Sequence, residues 1–114
     1  MLNDSRTFSL SRSGRAYMHF LLAFNSHDEG QLQVFIQKNF APSFQKQTPV
    51  DEMVKWCLDT YKSLGVLKIH KVFFSEEFFI IVIVVADDGT QYLHKLKIQD
   101  SPPYQITEYF HEDT

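Results

Sequence analysis

The spacing of the hydrophobic residues changes once along this chain, at Gly65. Before Gly65, apolar residues recur at intervals of three and four, which is the period of an amphipathic helix. After Gly65 they alternate with polar residues or form short β-rich runs, as strands do. A chain of 114 residues suits one domain with one core. The order predicts an α+β domain in which three N-terminal helices pack on one face of a curved, four-stranded antiparallel meander.

The first helix is predicted from an apolar stripe at helical spacing, made of Tyr17, Phe20, Leu21 and Phe24. Arg12 and Arg15 precede this run and give it a faint likeness to a signal peptide. His19 interrupts the run and no small-x-small cleavage site follows, so we favour a helix of the folded domain. We therefore expect a flexible arm over residues 1–12, a single domain over residues 13–114, and a cytoplasmic protein.

The connection to the second helix has the residues of a helix cap. Ser26 stands three residues before Glu29, which is the capping-box spacing. Asp28 places a negative charge in the first turn, where the helix dipole favours it. Pro42 ends the second helix, because the residue before a proline avoids helical geometry. We predict that this connection serves to turn the chain, with chemistry at Asp28 as the alternative.

The third helix has the clearest boundaries. Thr48 is the predicted N-cap, Pro49 the first helical residue and Gly65 the C-cap. Its buried face is predicted to be Val50, Met53, Val54, Cys57, Tyr61 and Leu64. Trp56 falls outside this stripe and either covers the helix edge or meets a partner. Cys57 is the one cysteine, which excludes an internal disulfide and a Cys-rich zinc site, and we expect it to be an inert core thiol.

Four strands are predicted after Gly65, over residues 66–74, 78–86, 91–99 and 104–111. Asp88-Gly89 is a signal for a two-residue hairpin turn between the second and third strands. Such a turn would place Ile83 opposite His94, on the face that the helices cover. His94 would then be the one titratable group in the middle of an apolar wall. It is either a core histidine with a hydrogen-bond partner or a polar contact in a ligand pocket.

The candidate pocket on this face combines tyrosines with His94 and one carboxylate: Tyr17, Tyr61, Ile83, Tyr92, His94 and Glu108. Glu108 shares strand parity with Ile106 and Phe110, so it points inward unless the edge strand twists outward. His70 lies on the inner face in one register of the first strand. In the other register Leu67, Ile69 and Phe73 lie inside, and we prefer that second register.

The outer face of the sheet is predicted to be a dimer interface. In this register the second strand presents apolar residues with no helix to cover them: Phe78, Ile80, Val82 and Val84. Monomers seldom expose a large contiguous apolar patch. We expect a two-fold homodimer with Trp56 at its rim. The alternative is that the long stems of Lys95 and Lys97 shield the patch.

Two phrases resemble the nuclear transport factor 2-like superfamily, also called SnoaL-like. They are Phe24-Asn25-Ser26-x-Asp28 and the run Phe40-Ala41-Pro42-Ser43-Phe44. The likeness covers roughly residues 14–111 and is strongest to small bacterial domains found alone or before serine-hydrolase domains. His27 departs from the pattern, since many relatives carry glycine there. The resemblance implies a cone whose mouth can hold a small apolar molecule. Some members of the superfamily are enzymes, and many others only bind or dimerise, commonly through the sheet.

The expected function is therefore a non-catalytic small-molecule-binding or accessory and dimerisation domain. The alternative is a small cofactor-free isomerase or dehydratase that uses general acid–base chemistry on a hydrophobic substrate. The chain has no G-x-S-x-G elbow and no phosphate-binding glycine loop, and its five histidines lack HxH or HExxH spacing. We expect no catalytic residue, cofactor or metal. A net charge of −3 argues against a nucleic-acid surface, and no apolar run is long enough to span a membrane.

Overall fold

A computed structural model describes residues 11–114 of the chain. Four helices come first: α1 Arg12–Ser26, α2 Glu29–Asn39, α3 Pro42–Gln47 and α4 Val50–Leu64. Four strands follow: β1 Lys68–Ser75, β2 Phe79–Val85, β3 Gln91–Ile98 and β4 Ile106–Asp113. The strands form one antiparallel sheet in the order β1-β2-β3-β4. The predicted α+β class and the meander are confirmed, and the short helix α3 is an addition to the three predicted helices.

The core lies between the helices and one face of the sheet, which we call the inner face. Phe20, Phe24 and Phe40 fill the centre of this layer and are almost fully buried. The Phe20 ring contacts the other two in tilted or edge-on geometry, with the centroids of Phe20 and Phe40 6.3 Å apart. Residues 11–114 contain no helix that is both long enough and apolar enough to cross a membrane.

The caps of the first two helices differ from the sequence predictions at the start of α2. Ser11 is the N-cap of α1, so the last two residues of the predicted arm belong to this helix, while residues 1–10 lie outside the described part of the chain. His27 ends α1 in the left-handed region at φ 50°. Asp28, rather than Ser26, caps α2 by accepting a hydrogen bond from the Gln31 amide at 2.9 Å. The predicted capping box is therefore wrong by two positions.

Both recognisable phrases tie the helices to the sheet. The side-chain amide of Asn25 donates to the Leu67 carbonyl at 2.9 Å and accepts from the Leu67 amide at 3.0 Å. The Ala41 amide donates to the Ile106 carbonyl at 2.8 Å, next to an isolated parallel bridge between Phe40 and Ile106. Each phrase therefore has a structural role in anchoring the sheet at the end of a helix.

The hairpin between β2 and β3 differs from the prediction by one residue. The Ala86 amide donates to the Thr90 carbonyl at 2.9 Å, so the loop contains three residues, Asp87 to Gly89. Gly89 takes the left-handed conformation at φ 87° that such a loop requires. As a result Val82, not Ile83, lies opposite His94. Because a one-residue slip moves every side chain of a strand to the other face, all β2 assignments change.

The predicted dimer interface is wrong for this reason. Ile80, Val82 and Val84 are fully buried under the helices. Phe78 precedes β2, is half-buried and stacks on Tyr104. The face that the helices leave uncovered, which we call the outer face, carries the alternate β2 residues Phe79, Ile81, Ile83 and Val85.

Strand β1 contains two irregularities in its pairing with β2, one between Ile69 and Lys71 and one between Val72 and Phe74. His70 falls at the first of these and is exposed, as the preferred register expected. Phe73 is wrongly predicted to lie inside. The first irregularity changes the parity of β1, so that Val72 pairs with the inward-facing Val82, and Phe73 falls at the second irregularity and is 62% exposed.

Candidate functional site

The candidate site is a hydrogen-bonded chain of two tyrosines and two histidines, Tyr17, His94, Tyr109 and His111. The Tyr17 hydroxyl lies 2.7 Å from Nδ1 of His94. On the other side of the ring, Nε2 of His94 lies 2.7 Å from Nδ1 of His111 and 3.2 Å from the Tyr109 hydroxyl. The chain runs from the fully buried Tyr17 to the half-buried His111.

Three elements bring these side chains together. Tyr17 lies on the buried stripe of α1, as the helical spacing predicted. His94 is fully buried on the inner face of β3, which confirms that prediction. Tyr109 and His111 are the β4 partners of Leu96 and His94. Because cross-strand partners project to the same face, both β4 side chains meet His94.

Burial keeps all four groups uncharged near neutral pH. Burial and, to a smaller extent, the neighbouring His111 together lower the pKa of His94 to about 3. Burial also lowers the pKa of His111, against an opposing effect of Asp113. The phenol pKa values of Tyr17 and Tyr109 are raised, chiefly by burial. Each imidazole therefore acts as one hydrogen-bond donor and one acceptor, and the hydrogen-bonded chain of four side chains carries no charge.

General acid–base catalysis by His94 finds little support in this geometry. No carboxylate in residues 11–114 hydrogen-bonds to His94, whose two nitrogens are already engaged by Tyr17, Tyr109 and His111. A group with a pKa of about 3 is also a weak base at neutral pH. The arrangement fits the core-histidine interpretation better than the pocket interpretation.

The remaining pocket candidates are dispersed. Tyr61 stacks on His27 with ring centroids 4.3 Å apart, at the surface end of α4. Ile83 lies on the outer face opposite Leu93, so its place in the pocket is wrong. Glu108 is exposed and lies opposite Lys97. Tyr92 does reach the site, because its ring stacks on His111 at 4.8 Å.

Sequence reasoning missed Tyr109 and His111. The pairing of β3 with β4 is irregular at Lys97 and Ile98, where Thr107 is an extra residue. Ile106, which precedes the extra residue, points inward. After Thr107 the side chains that point inward are those of the odd-numbered residues Tyr109 and His111. The alternation of Thr107, Tyr109 and His111 could have indicated the inward face of β4. It was missed because the apolar Ile106 indicated the opposite parity.

Trp56 lies at the end of the hydrogen-bonded chain that is nearest the surface. Its ring centroid lies 5.3 Å from that of His111 and 5.7 Å from that of Tyr109, in edge-on contacts. It also contacts Phe24. Trp56 thus covers the edge of α4, as one of the two predicted alternatives had it. Beside it opens a groove of about 530 Å³ between α3, α4 and residues 107–111 of β4, which we call the β4 groove.

No group of three or more metal-binding side chains occurs in the described range 11–114. Cys57 is buried on the core face of α4, and burial raises its thiol pKa to about 12. A thiol of this kind stays protonated and is a poor nucleophile, which agrees with the predicted inert role.

Comparisons of the chain with protein-family models, with curated proteins and with solved structures returned no match. The likeness to the nuclear transport factor 2-like superfamily therefore stays a prediction from the two sequence phrases. The fold and the side-chain geometry are the observations from which a function can be argued.

Proposed function

We propose that this chain is a non-catalytic accessory domain that assembles as a homodimer through the outer face of its sheet. The observation that carries the proposal is an apolar outer face with its largest exposed side chains on the two edge strands. Phe74 on β1 is 42% exposed and Phe110 on β4 is 49% exposed. Between them lie the partly exposed outer residues of β2 and Leu93 of β3.

Two rows of residues cross the outer face from β1 to β4. In the first row, the partners in order are Phe74, Ile81, Lys95 and Phe110. In the second row they are Lys71, Ile83, Leu93 and Glu112. Each row ends in side chains that attract each other: two aromatic rings in the first, and a lysine and a glutamate in the second.

These rows make the face complementary to itself. A two-fold axis parallel to the strands, between β2 and β3, would place β1 of one copy over β4 of the other. Phe74 would then meet Phe110 of the second copy, and Lys71 would meet Glu112. This self-complementarity favours a second copy of the chain over an unrelated partner.

Burial of the face supplies the free energy for association. Removing apolar surface from water contributes roughly 25 cal/mol per Å² before the costs of association. The resemblance to a superfamily in which sheet-mediated dimers are common supports the same assembly. The small-molecule form of the expected function needs a cavity between helices and sheet, and the phenylalanine rings of the core occupy that layer.

Charge reversal tests the proposal. Sedimentation velocity on the parent at tens of micromolar, about the range in which a micromolar interface is populated, should show a dimer. Lys71→Glu and Glu112→Lys should each weaken it, because each places like charges opposite one another across the two-fold axis. The double variant should regain affinity. Lys55→Glu, a reversal of an exposed lysine on α4, is the matched control.

A monomeric parent at that concentration would overturn the proposal. So would a double variant that associates no more tightly than Glu112→Lys, since that result would mean the two residues do not face each other. Glu112 also pairs with Lys95 of its own copy at 3.3 Å, so the comparison that decides is between the double variant and Glu112→Lys.

A further inference from the structure

The β4 groove runs along the free edge of the sheet. One wall is continuous strand, residues 107–111, and the other is formed by α3 and α4 with Phe44, Met53 and Trp56. β4 is the last strand in the sheet order and pairs only with β3 among the described strands. A groove bordered by five consecutive residues of an edge strand has the shape of an extended chain rather than of a compact molecule.

The backbone of β4 directs unpaired groups into this groove. On β3, the Ile98 amide donates to the Phe78 carbonyl at 2.9 Å, on the β2 side, while the Lys97 carbonyl accepts from the Thr107 hydroxyl at 3.3 Å, on the β4 side. Because successive residues of a strand point their backbone groups to opposite neighbours, Lys97 and Lys95 both bond β4.

The β4 partners of these two lysines are Glu108 and Phe110, whose backbone groups are therefore used toward β3. The amide and carbonyl groups of Tyr109 and His111, which alternate with them, point to the groove. Within residues 11–114, no backbone group of a turn, loop or helix cap forms a hydrogen bond with the backbone of Tyr109 or His111. Two donors and two acceptors thus stand in a row at the spacing of a strand partner.

The chain already begins such a pairing at the start of β4. Phe40 forms a parallel bridge with Ile106, and the Ala41 amide donates to the Ile106 carbonyl at 2.8 Å. Pro42 then starts α3 and leads the chain away. The edge is therefore suited to strand addition, and its continuation at Tyr109 and His111 is left open.

The two edges of the sheet also differ. β1 carries two irregularities in its pairing, which are a common protection against strand addition. β4 pairs in regular register from Glu108 to Asp113. The β4 edge is flanked by an aromatic wall that contains Phe44 and Trp56, and this wall could hold an apolar side chain of an added strand.

The charge of the groove defines the chemistry of its occupant. Among residues 11–114, the lining contains two carboxylates, Glu52 and Glu108, and no lysine or arginine. An added strand with a basic residue near Glu52 and an apolar side chain against Trp56 would match both features.

We propose that the β4 groove binds an extended, basic and apolar peptide segment of a partner protein, added to the sheet as a fifth strand beside β4. Residues 107–111 offer room for about five residues of extended chain. The affinity comes from backbone hydrogen bonds to Tyr109 and His111, and the selectivity from the side-chain contacts with Trp56 and Glu52. The site is on the sheet edge, so the proposal does not depend on dimerisation through the outer face.

Selection from a library of random peptides about seven residues long, displayed on phage and presented to the full chain, supplies the probe. We expect the selected sequences to combine apolar and basic residues. The synthetic peptide is then titrated by fluorescence of Trp56, the single tryptophan of the chain. Amide exchange of Tyr109 and His111 should slow on binding.

N-methylation of the peptide backbone gives a matched pair of probes. Methyl groups on one alternate set of amides should abolish binding, and methyl groups on the other set should leave it, because only one set faces β4. Trp56→Phe should weaken binding about tenfold or more, followed by amide exchange since the variant has no tryptophan. Glu52→Lys should weaken binding of the basic peptide. Glu29→Lys, on α2 and away from the groove, should leave its binding unchanged.

Three results would overturn the proposal. The first is a selection that returns no peptide binding tighter than about millimolar. The second is binding without a change in the amide exchange of Tyr109 and His111. The third is equal loss of affinity on methylating either set of peptide amides, which would indicate a ligand held by side chains alone.

Discussion

The Tyr17 hydroxyl and Nδ1 of His94 lie 2.7 Å apart, and both side chains are fully buried. This hydrogen bond joins the first helix to the third strand, residues that are 77 positions apart in the chain. No buried side-chain nitrogen or oxygen within residues 11–114 lacks a partner. A satisfied polar network of this kind favours one placement of the helix on the sheet over all others.

Removal of the Tyr17 hydroxyl should destabilise the fold. Tyr17→Phe leaves Nδ1 of His94 buried without its partner, which costs about 1–3 kcal/mol of unfolding free energy. Urea denaturation followed by circular dichroism measures the loss. Tyr61→Phe is the matched control, because Tyr61 is half-buried and its hydroxyl has no hydrogen-bond partner in the described residues. Equal losses in the two variants would show that the hydrogen bond contributes nothing specific.

His94→Ala should change stability more than it changes any catalytic activity. The substitution removes three hydrogen-bond contacts and leaves a cavity beneath Tyr17, so we expect a loss of roughly 2–4 kcal/mol. Denaturation of the variant and a screen of parent and variant for isomerase and dehydratase turnover measure the two effects. A reaction catalysed by the parent and abolished in a folded His94→Ala variant would instead support the enzyme alternative.

Stability should fall as the pH falls below about 6.5, the ordinary pKa of histidine. His94 has a pKa of about 3 in the folded protein because of its burial. Between these values the unfolded chain binds a proton that the folded chain excludes, so the free energy of unfolding rises with pH. The contribution is about 1.4 kcal/mol per pH unit in that window.

Denaturant midpoints measured from about pH 7 down to pH 4 should show this slope in the parent. His94→Gln, which cannot titrate, should flatten it, while the exposed His19→Gln should keep it. His111 also has its pKa lowered by burial and contributes with the same sign, so a residual slope in His94→Gln is expected. An unchanged slope in His94→Gln would show that His94 is not the group that titrates.

Much of the fold could be predicted because periodicity reports burial. The helical spacing placed Tyr17 in the core, and the alternation along β3 placed His94 on the inner face. The β2 assignment was wrong because both faces of this strand are apolar, so periodicity could not choose between them. Only the length of the Asp87 to Gly89 loop decides the register, and Asp88-Gly89 is compatible with a two-residue or a three-residue loop.

Two of the four side chains of the candidate site, Tyr17 and His94, were predicted from the sequence. His94 was recognised because it interrupts an apolar alternation in a regular strand. Tyr109 and His111 were not, because the extra residue Thr107 changes the parity of β4, and no single residue type marks an irregularity of this kind. The β4 groove was also beyond prediction, since its far wall includes the short helix α3, which has too few residues for a helical period.

Gly65 should tolerate substitution less well than Gly89. Both have positive φ, at 77° and 87°, but Gly65 also has ψ −156°, a region almost exclusive to glycine. A Cβ at Gly65 would collide with the carboxylate of Asp87, whereas one at Gly89 would have nothing within 4 Å. Gly65→Ala should therefore lower the free energy of unfolding by roughly 1–3 kcal/mol through backbone conformation, with the collision adding to the loss, and Gly89→Ala by only about 1 kcal/mol.

Thermal and urea denaturation of both variants measure the difference, and Gly65→Ala combined with Asp87→Ala should recover the part due to the collision. Equal destabilisation by the two single variants, or no recovery in the combination, would mean that the α4–β1 connection relaxes around the new methyl group.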